Sequence, residues 1–222
     1  TSWLSKTTHR LDIYDEKLAK TEFLEQFEDL YKNINSDTAA LNELPTAYDY
    51  IRLGHPLSCV LEWALAYFYK TKPENIISFS SQTIAILAIL RKNLLYHKNT
   101  QIVYTEELPD FFDAEVIKRI YGYQFELKHV EKLSDIPFFK GSTIVVAQND
   151  AIGINPLNAN TDFFINIYGQ LGSILIVNGE QNEHYISDIQ HVRRRETIAM
   201  TPVNCNAVLE AFVNNTRFTV PP

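Results

Sequence analysis

Between Leu11 and Leu30, apolar residues recur at Leu18, Phe23, Leu24, Phe27 and Leu30 with charged positions between them, the spacing of an amphipathic helix. The polar stretch from Asn33 to Ala40 interrupts that pattern. After Gly54-His55-Pro56 a helical spacing resumes over Leu57 to Tyr69, with Pro56 suited to a first turn. From there the period alternates. Ile76–Phe79, Gln101–Tyr104, Tyr123–Leu127, Ser142–Ala147 and Gly172–Val177 predict strands, and the last two are apolar enough to be buried on both faces. Gln82–Asn93, Pro109–Tyr121 and Thr161–Tyr168 predict helices. This succession implies an α/β fold in three layers, a mostly parallel sheet with helices on both faces. Residues 1–47 read as an N-terminal helical segment ahead of a single α/β domain over 48–222.

In such sheets the ligand site lies beyond the carboxyl ends of the strands. That rule selects the loops after Phe79, Tyr104, Ala147 and Val177. Ser80, Ser81, Gln82 and Thr83 place hydroxyls and unpaired backbone N–H groups at a helix start, where the dipole favours an anion such as phosphate. The plainer reading of the same residues is a serine cap. Glu106, Glu107 and Asp110 crowd one loop, a spacing more typical of a solvated turn than of an acid–base pair. Glu183, His184 and His191 lack the spacing of metal ligands. Neither a GxGxxG nor a Walker sequence occurs, and His55 near Cys59 has no third partner for nucleophilic catalysis.

Composition narrows the classes further. The 222 residues carry 20 Lys+Arg and 27 Asp+Glu, a net charge of −7 that offers no footprint for a nucleic-acid backbone. The basic cluster His191–Arg195 reads as a solvated helix face, with Arg193 to Arg195 as conceivable aids to an anion site. The apolar run around Ile84–Leu90 falls short of the ~20 residues that span a bilayer, and Thr1–Lys6 has no apolar leader, so the expected setting is cytoplasmic. Cys59 and Cys205 stand far apart and read as ordinary reduced thiols.

The order of segments resembles the large domain of fold type I pyridoxal-phosphate enzymes, most of all the α-oxoamine synthases, which include 8-amino-7-oxononanoate synthase. Tyr50-Ile-Arg-Leu-Gly-His-Pro-Leu-Ser58 with Leu61-Glu62 is similar to that family's glycine-rich turn and "LE" helix. Ile76-Ile-Ser-Phe-Ser-Ser-Gln82 resembles its "FSSG" phosphate loop, and Ile102–Leu108 the strand leading to "DELNH". Ile144–Ala147 with Gly153–Leu157 resembles the segment before "PL", and Tyr168–Asn178 resembles "YGALLIVDEAH". The stretch Gln190–Phe212 is similar to the region that follows the family's lysine strand.

This resemblance implies a pyridoxal-phosphate site at Ser80, Ser81, Gln82, Thr83, Pro109, Asp110, Asn178 and Gln181. It also implies departures. The family's Schiff-base lysine follows the strand here ending at Val177, yet all 12 lysines lie at or before Lys140. Asn178 stands where the family has the Asp that keeps the pyridine nitrogen protonated, Pro109-Asp110 where it has a stacking His, Gln82 where it has Gly, and Gln181 where it has the His of "DEAH". Three functions are therefore expected from the sequence. One is a catalytically inactive protein of this fold, a binding or partner subunit in a homodimer or in a heterodimer with a related transferase. A second is an active acyltransferase or aminotransferase whose lysine comes from elsewhere. The third is a different α/β ligand-binding domain that only resembles the family, in which Ser80, Ser81 and Thr83 hold an anion assisted by Arg193 to Arg195. The aromatic helix face Trp63, Tyr67, Phe68 and Tyr69 is the candidate interface, with core packing as its alternative.

Overall fold

The computed structural model describes residues 20–48, 50–148, 157–214 and 216. The chain begins with α1 (Thr21–Lys32) and the short α2 (Thr38–Asn42), followed by α3 (Pro56–Tyr69). The part of the expected first helix before Lys20 lies outside the described residues. β1 (Ile76–Phe79), α4 (Ile84–Leu95), β2 (Thr100–Tyr104), α5 (Ala114–Tyr121), β3 (Phe125–His129) and β4 (Ser142–Gln148) then alternate. β5 (Phe163–Ile167), β6 (Ser173–Val177), α6 (Ile186–Glu196) and α7 (Pro202–Asn214) complete the order.

Local chemistry sets the helix starts. His55 Nδ1 accepts the Ser58 N–H at 3.2 Å while the His55 N–H donates to Ser58 Oγ at 2.9 Å, a reciprocal cap with Pro56 at the first helical position of α3. The other ring nitrogen of His55 lies 2.8 Å from the Met200 carbonyl, so the ring is occupied on both sides. α5 starts at Ala114 rather than Pro109 because the Asp113 carboxylate caps the Val116 N–H at 2.9 Å.

The six strands form one sheet in the order β1-β6-β5-β4-β2-β3. β1, β2, β3, β4 and β5 run in one direction and β6 runs against them, antiparallel to both β1 and β5. One face packs Ile77, Ile102, Ile144 and Leu175 against α4, α5 and α6; the other packs Val103, Val145, Phe164 and Ile176 against α3 and α7. A third cluster, with Phe23, Tyr48 and Cys59, seats α1 on α3. Three layers result, as the pattern predicted.

Two elements depart from that pattern. Thr161–Tyr168, expected as a helix, contains strand β5 with every residue from Phe163 to Ile167 buried. A run apolar on both faces has no polar side to show solvent, and short runs of this kind do not reveal their period. β3 is the outermost strand, with only Phe125 buried, so its alternation reflects an exposed edge rather than a half-buried face. No helix among the described residues is long and apolar enough to cross a membrane.

Candidate functional site

The carboxyl ends of β1, β2, β4 and β5 share one edge of the sheet, because these strands are mutually parallel in direction. Ser80 to Thr83 leave β1 at this edge, and Pro109 and Asp110 follow β2 there, separated along the sheet by β6, β5 and β4. Gln148 ends β4, and its side-chain amide donates to the Glu107 carbonyl, tying two of the edge loops together. Glu106, Glu107 and Asp110 are exposed, and Pro109 is buried.

The turn after β1 is closed by its own residues. Ser81 Oγ accepts the N–H groups of both Thr83 and Ile84 at 3.2 Å, satisfying two of the first-turn donors of α4. The Ser81 carbonyl in turn accepts from Ser173 Oγ at 2.6 Å. Gln82 Nε2 donates to the Gly169 carbonyl at 2.7 Å, which pins the turn to the β5–β6 connection. Ser80 Oγ lies 3.2 Å from Thr197 Oγ1 and 3.3 Å from the Ile198 carbonyl. Arg52 reaches the same corner, with Nε 3.3 Å from the Thr197 carbonyl.

Asn178 and Gln181 do not join these residues. Because β6 is antiparallel to its neighbours, Val177 lies opposite Phe163 at the amino edge of the sheet, and the loop after it leaves from the far side of the molecule. There Asn178 serves structure: its backbone N–H donates to Asp162 O at 2.8 Å and its Nδ2 to Thr161 O at 2.6 Å. Gln181 is exposed beside it. Of the eight residues expected at one site, six lie at the carboxyl edge and these two at the opposite one. The short connection Tyr168–Gly172 carries the signal that sequence reading missed, since a turn of that length joins strands only as an antiparallel hairpin.

Several other candidates resolve into structural roles. Glu183 pairs with Lys72 at 2.7 Å, and His184 packs on Tyr185 with ring centroids 4.5 Å apart. Arg193, expected on a solvated face, is fully buried and bonds Glu62 Oε1 at 3.0 Å, while Arg195 is exposed. Tyr67 is 74% exposed and Phe68 42%, whereas Trp63 is partly covered by Phe27 and Tyr31.

A pyridoxal phosphate asks for free donors around its phosphate, an acid at its ring nitrogen and a lysine at its aldehyde. The described residues at this edge do not fit that demand; the loop after β4, with Asp150 and most of the Gly153–Leu157 segment, lies outside the described residues. The Thr83 and Ile84 N–H groups are spent on Ser81, Gln82 is held by Gly169, and Asn178 stands at the other edge. The turn Tyr168–Gly172, which lies beside the closed loop, contains no lysine. Lys72, Lys98 and Lys140 precede β1, β2 and β4 and so sit at the amino edge, and Lys128 and Lys132 lie on or just after the outermost strand.

No protein-family model matches the chain, and no curated protein matches it by sequence. Solved structures do match. A candidate L-allo-threonine aldolase from Listeria monocytogenes aligns with a TM-score of 0.52 at 11% identity, over 90% of this chain and 70% of its own. The metB protein of Corynebacterium glutamicum gives 0.50 at 15% identity, over 91% of this chain and 65% of its own. Cystathionine gamma synthase from Xanthomonas oryzae pv. oryzae, solved with aminoacrylate and cysteine, gives 0.50 at 14%, over 76% and 53%. This chain therefore spans between 53% and 70% of these structures. Its fold is that of the pyridoxal-phosphate-dependent transferases, and at identities of 11–15% the likeness is one of fold alone.

Proposed function

We propose that this chain is a non-catalytic protein of the pyridoxal-phosphate-transferase fold that acts as a binding or partner subunit, in a homodimer or beside a related transferase. The observation that carries this reading is the turn after β1. In a phosphate site those N–H groups face the ligand, whereas here Ser81 caps them and Gln82 bridges to Gly169. The placement of Asn178 at the amino edge adds to it, because no side chain there can hold the proton of a pyridine ring bound at the carboxyl edge.

Pyridoxal phosphate titration, followed by borohydride reduction and intact-mass analysis, tests the reading. The expected result is an unchanged visible spectrum of the added cofactor and an unmodified protein mass. A reduced adduct on one specific lysine overturns it and favours the second reading, an active acyltransferase or aminotransferase of the α-oxoamine synthase kind. The fold likeness supports that alternative, and production of an aminoketone from an amino acid and an acyl thioester would establish it.

A further inference from the structure

We propose that the groove between α1 and α3 is a docking site for an arginine-bearing segment of a partner protein. This inference deepens the partner-subunit reading and rests on it only in assigning the occupant to another protein. The groove lies at the amino-edge end of α3, away from the turn after β1, and encloses about 320 Å3, within the lower part of the range typical of ligand sites.

Two aromatic rings line it: Trp63 and Tyr67 pair with centroids 6.4 Å apart and planes 28° from parallel. Edge contacts from Phe27 at 5.4 Å and Tyr31 at 5.0 Å hold the indole in place, so little ordering is left for a ligand to impose. Both walls are acidic: Glu25 and Glu28 line one from α1, and Glu74 lines the other from the turn before β1. Two cations lie nearby and both have other partners: buried Lys20 bonds Glu62 at 2.6 Å and the Pro73 carbonyl at 2.6 Å, and exposed Lys72, within electrostatic reach of Glu74, pairs with Glu183 at 2.7 Å. Glu28 has an exposed contact with Lys32 at 3.4 Å, a weak pairing in water. Thr21 Oγ1, buried and without a hydrogen-bond partner among the described residues, borders the same space.

Carboxylates of one sign around aromatic rings select a cation and repel phosphate-bearing polymers. A guanidinium suits the groove better than an ammonium, since it is planar, weakly hydrated, stacks on ring faces and bonds carboxylates with two parallel N–H groups. A purely apolar occupant would bury the carboxylates without a partner, at a large desolvation cost.

The test uses the full chain with Trp3→Phe, which leaves Trp63 as the sole indole. A short capped alanine–arginine peptide is titrated while the Trp63 emission is followed, in buffer free of pyridoxal phosphate. The expected result is a saturable change that weakens with salt, and that is lost or weakened about tenfold or more when citrulline replaces arginine. The combined Glu25→Gln, Glu28→Gln and Glu74→Gln variant, checked by circular dichroism for an unchanged fold, should lose it likewise. An equal response to the citrulline peptide, or none up to millimolar concentration, overturns the proposal. So does concentration-dependent sedimentation that the glutamine variant abolishes, since the occupant would then be a second copy of the chain. A pyridoxal adduct overturns the non-catalytic reading through protein mass alone and leaves this signal untouched.

Discussion

Arg193 and Glu62, 131 positions apart, meet at 3.0 Å inside the protein and between them close the open edge of β1. Ser78 donates its N–H to Glu62 Oε1 at 2.9 Å, and its carbonyl accepts from Arg193 at 3.2 Å. Lys20 lies 3.5 Å from the Ile76 carbonyl and bonds the other oxygen of Glu62 at 2.6 Å. The Ile198 carbonyl accepts the Ser80 N–H at 3.1 Å. Three charged side chains and one loop carbonyl thus stand where a further strand would pair, and β1 presents no bare edge to another chain.

Removing one charge from this group strands the others in the core. Glu62→Gln and Arg193→Met should each cost about 3–5 kcal/mol in urea unfolding, the range for breaking a buried pair by removing one partner. The combined variant should cost clearly less than the sum of the two, because no unpaired charge of that pair is then left. Additive losses would show that the pair is not coupled.

The same carboxylate ties stability to acidity. Burial alone would raise the pKa of Glu62, but Lys20, Arg193 and the Ser78 N–H more than offset it and hold the group below its ordinary value of 4.5. A group depressed on folding stabilises fully above its unfolded pKa, and that contribution is lost as pH falls through the folded one. Urea midpoints of the parent should therefore fall as pH drops below about 4.5, and Glu62→Gln should show a shallower fall over the same window. Parallel curves for the two proteins would remove Glu62 as the cause.

Both thiols should be silent in the native state. Burial, helped by the Glu62 charge, pushes Cys59 up to about 12, and burial likewise raises Cys205. At pH 8 the thiolate fraction of Cys59 is then about 10⁻⁴, and neither sulfur touches solvent. Ellman's reagent should label both only in denaturant, at a rate that follows global unfolding; rapid labelling in buffer would contradict this.

Ser81 should behave as a helix cap. Ser81→Ala leaves the Thr83 and Ile84 N–H groups without their acceptor and should cost about 1 kcal/mol, while Ser81→Asp should retain most of the stability. Thermal melts of the three proteins decide it, and an alanine variant as stable as the parent would leave the cap without weight.

Gly172 sits at φ +124°, a conformation that side-chain-bearing residues rarely adopt, and a Cβ there would overlap the Phe79 carbonyl. Gly172→Ala should destabilise by more than about 2 kcal/mol and loosen the turn that holds Gln82. A melt within a degree or two of the parent would show that the β5–β6 connection yields without cost.

Much of the architecture was written locally. The period of α3 and α4, the apolar runs of β1, β2, β4 and β6, the Pro56 start and the serine turn after β1 are properties of neighbouring residues, and sequence reading placed each within a few positions. What depended on remote partners was not legible. Nothing near Arg193 in the chain tells that Glu62 waits in the core, so a run of three arginines read as a solvated face. Nothing in the composition of Thr161–Tyr168 separates a strand buried on both faces from a buried helix, and with that element misread the direction of β6 was lost as well. The sequence by itself determined the layers, the serine turn and the absence of lysine after Lys140. Only the tertiary structure decided which edge each loop occupies, because hydrophobic period is set by neighbours a few residues apart, whereas strand direction and ion pairing are set by what packs alongside.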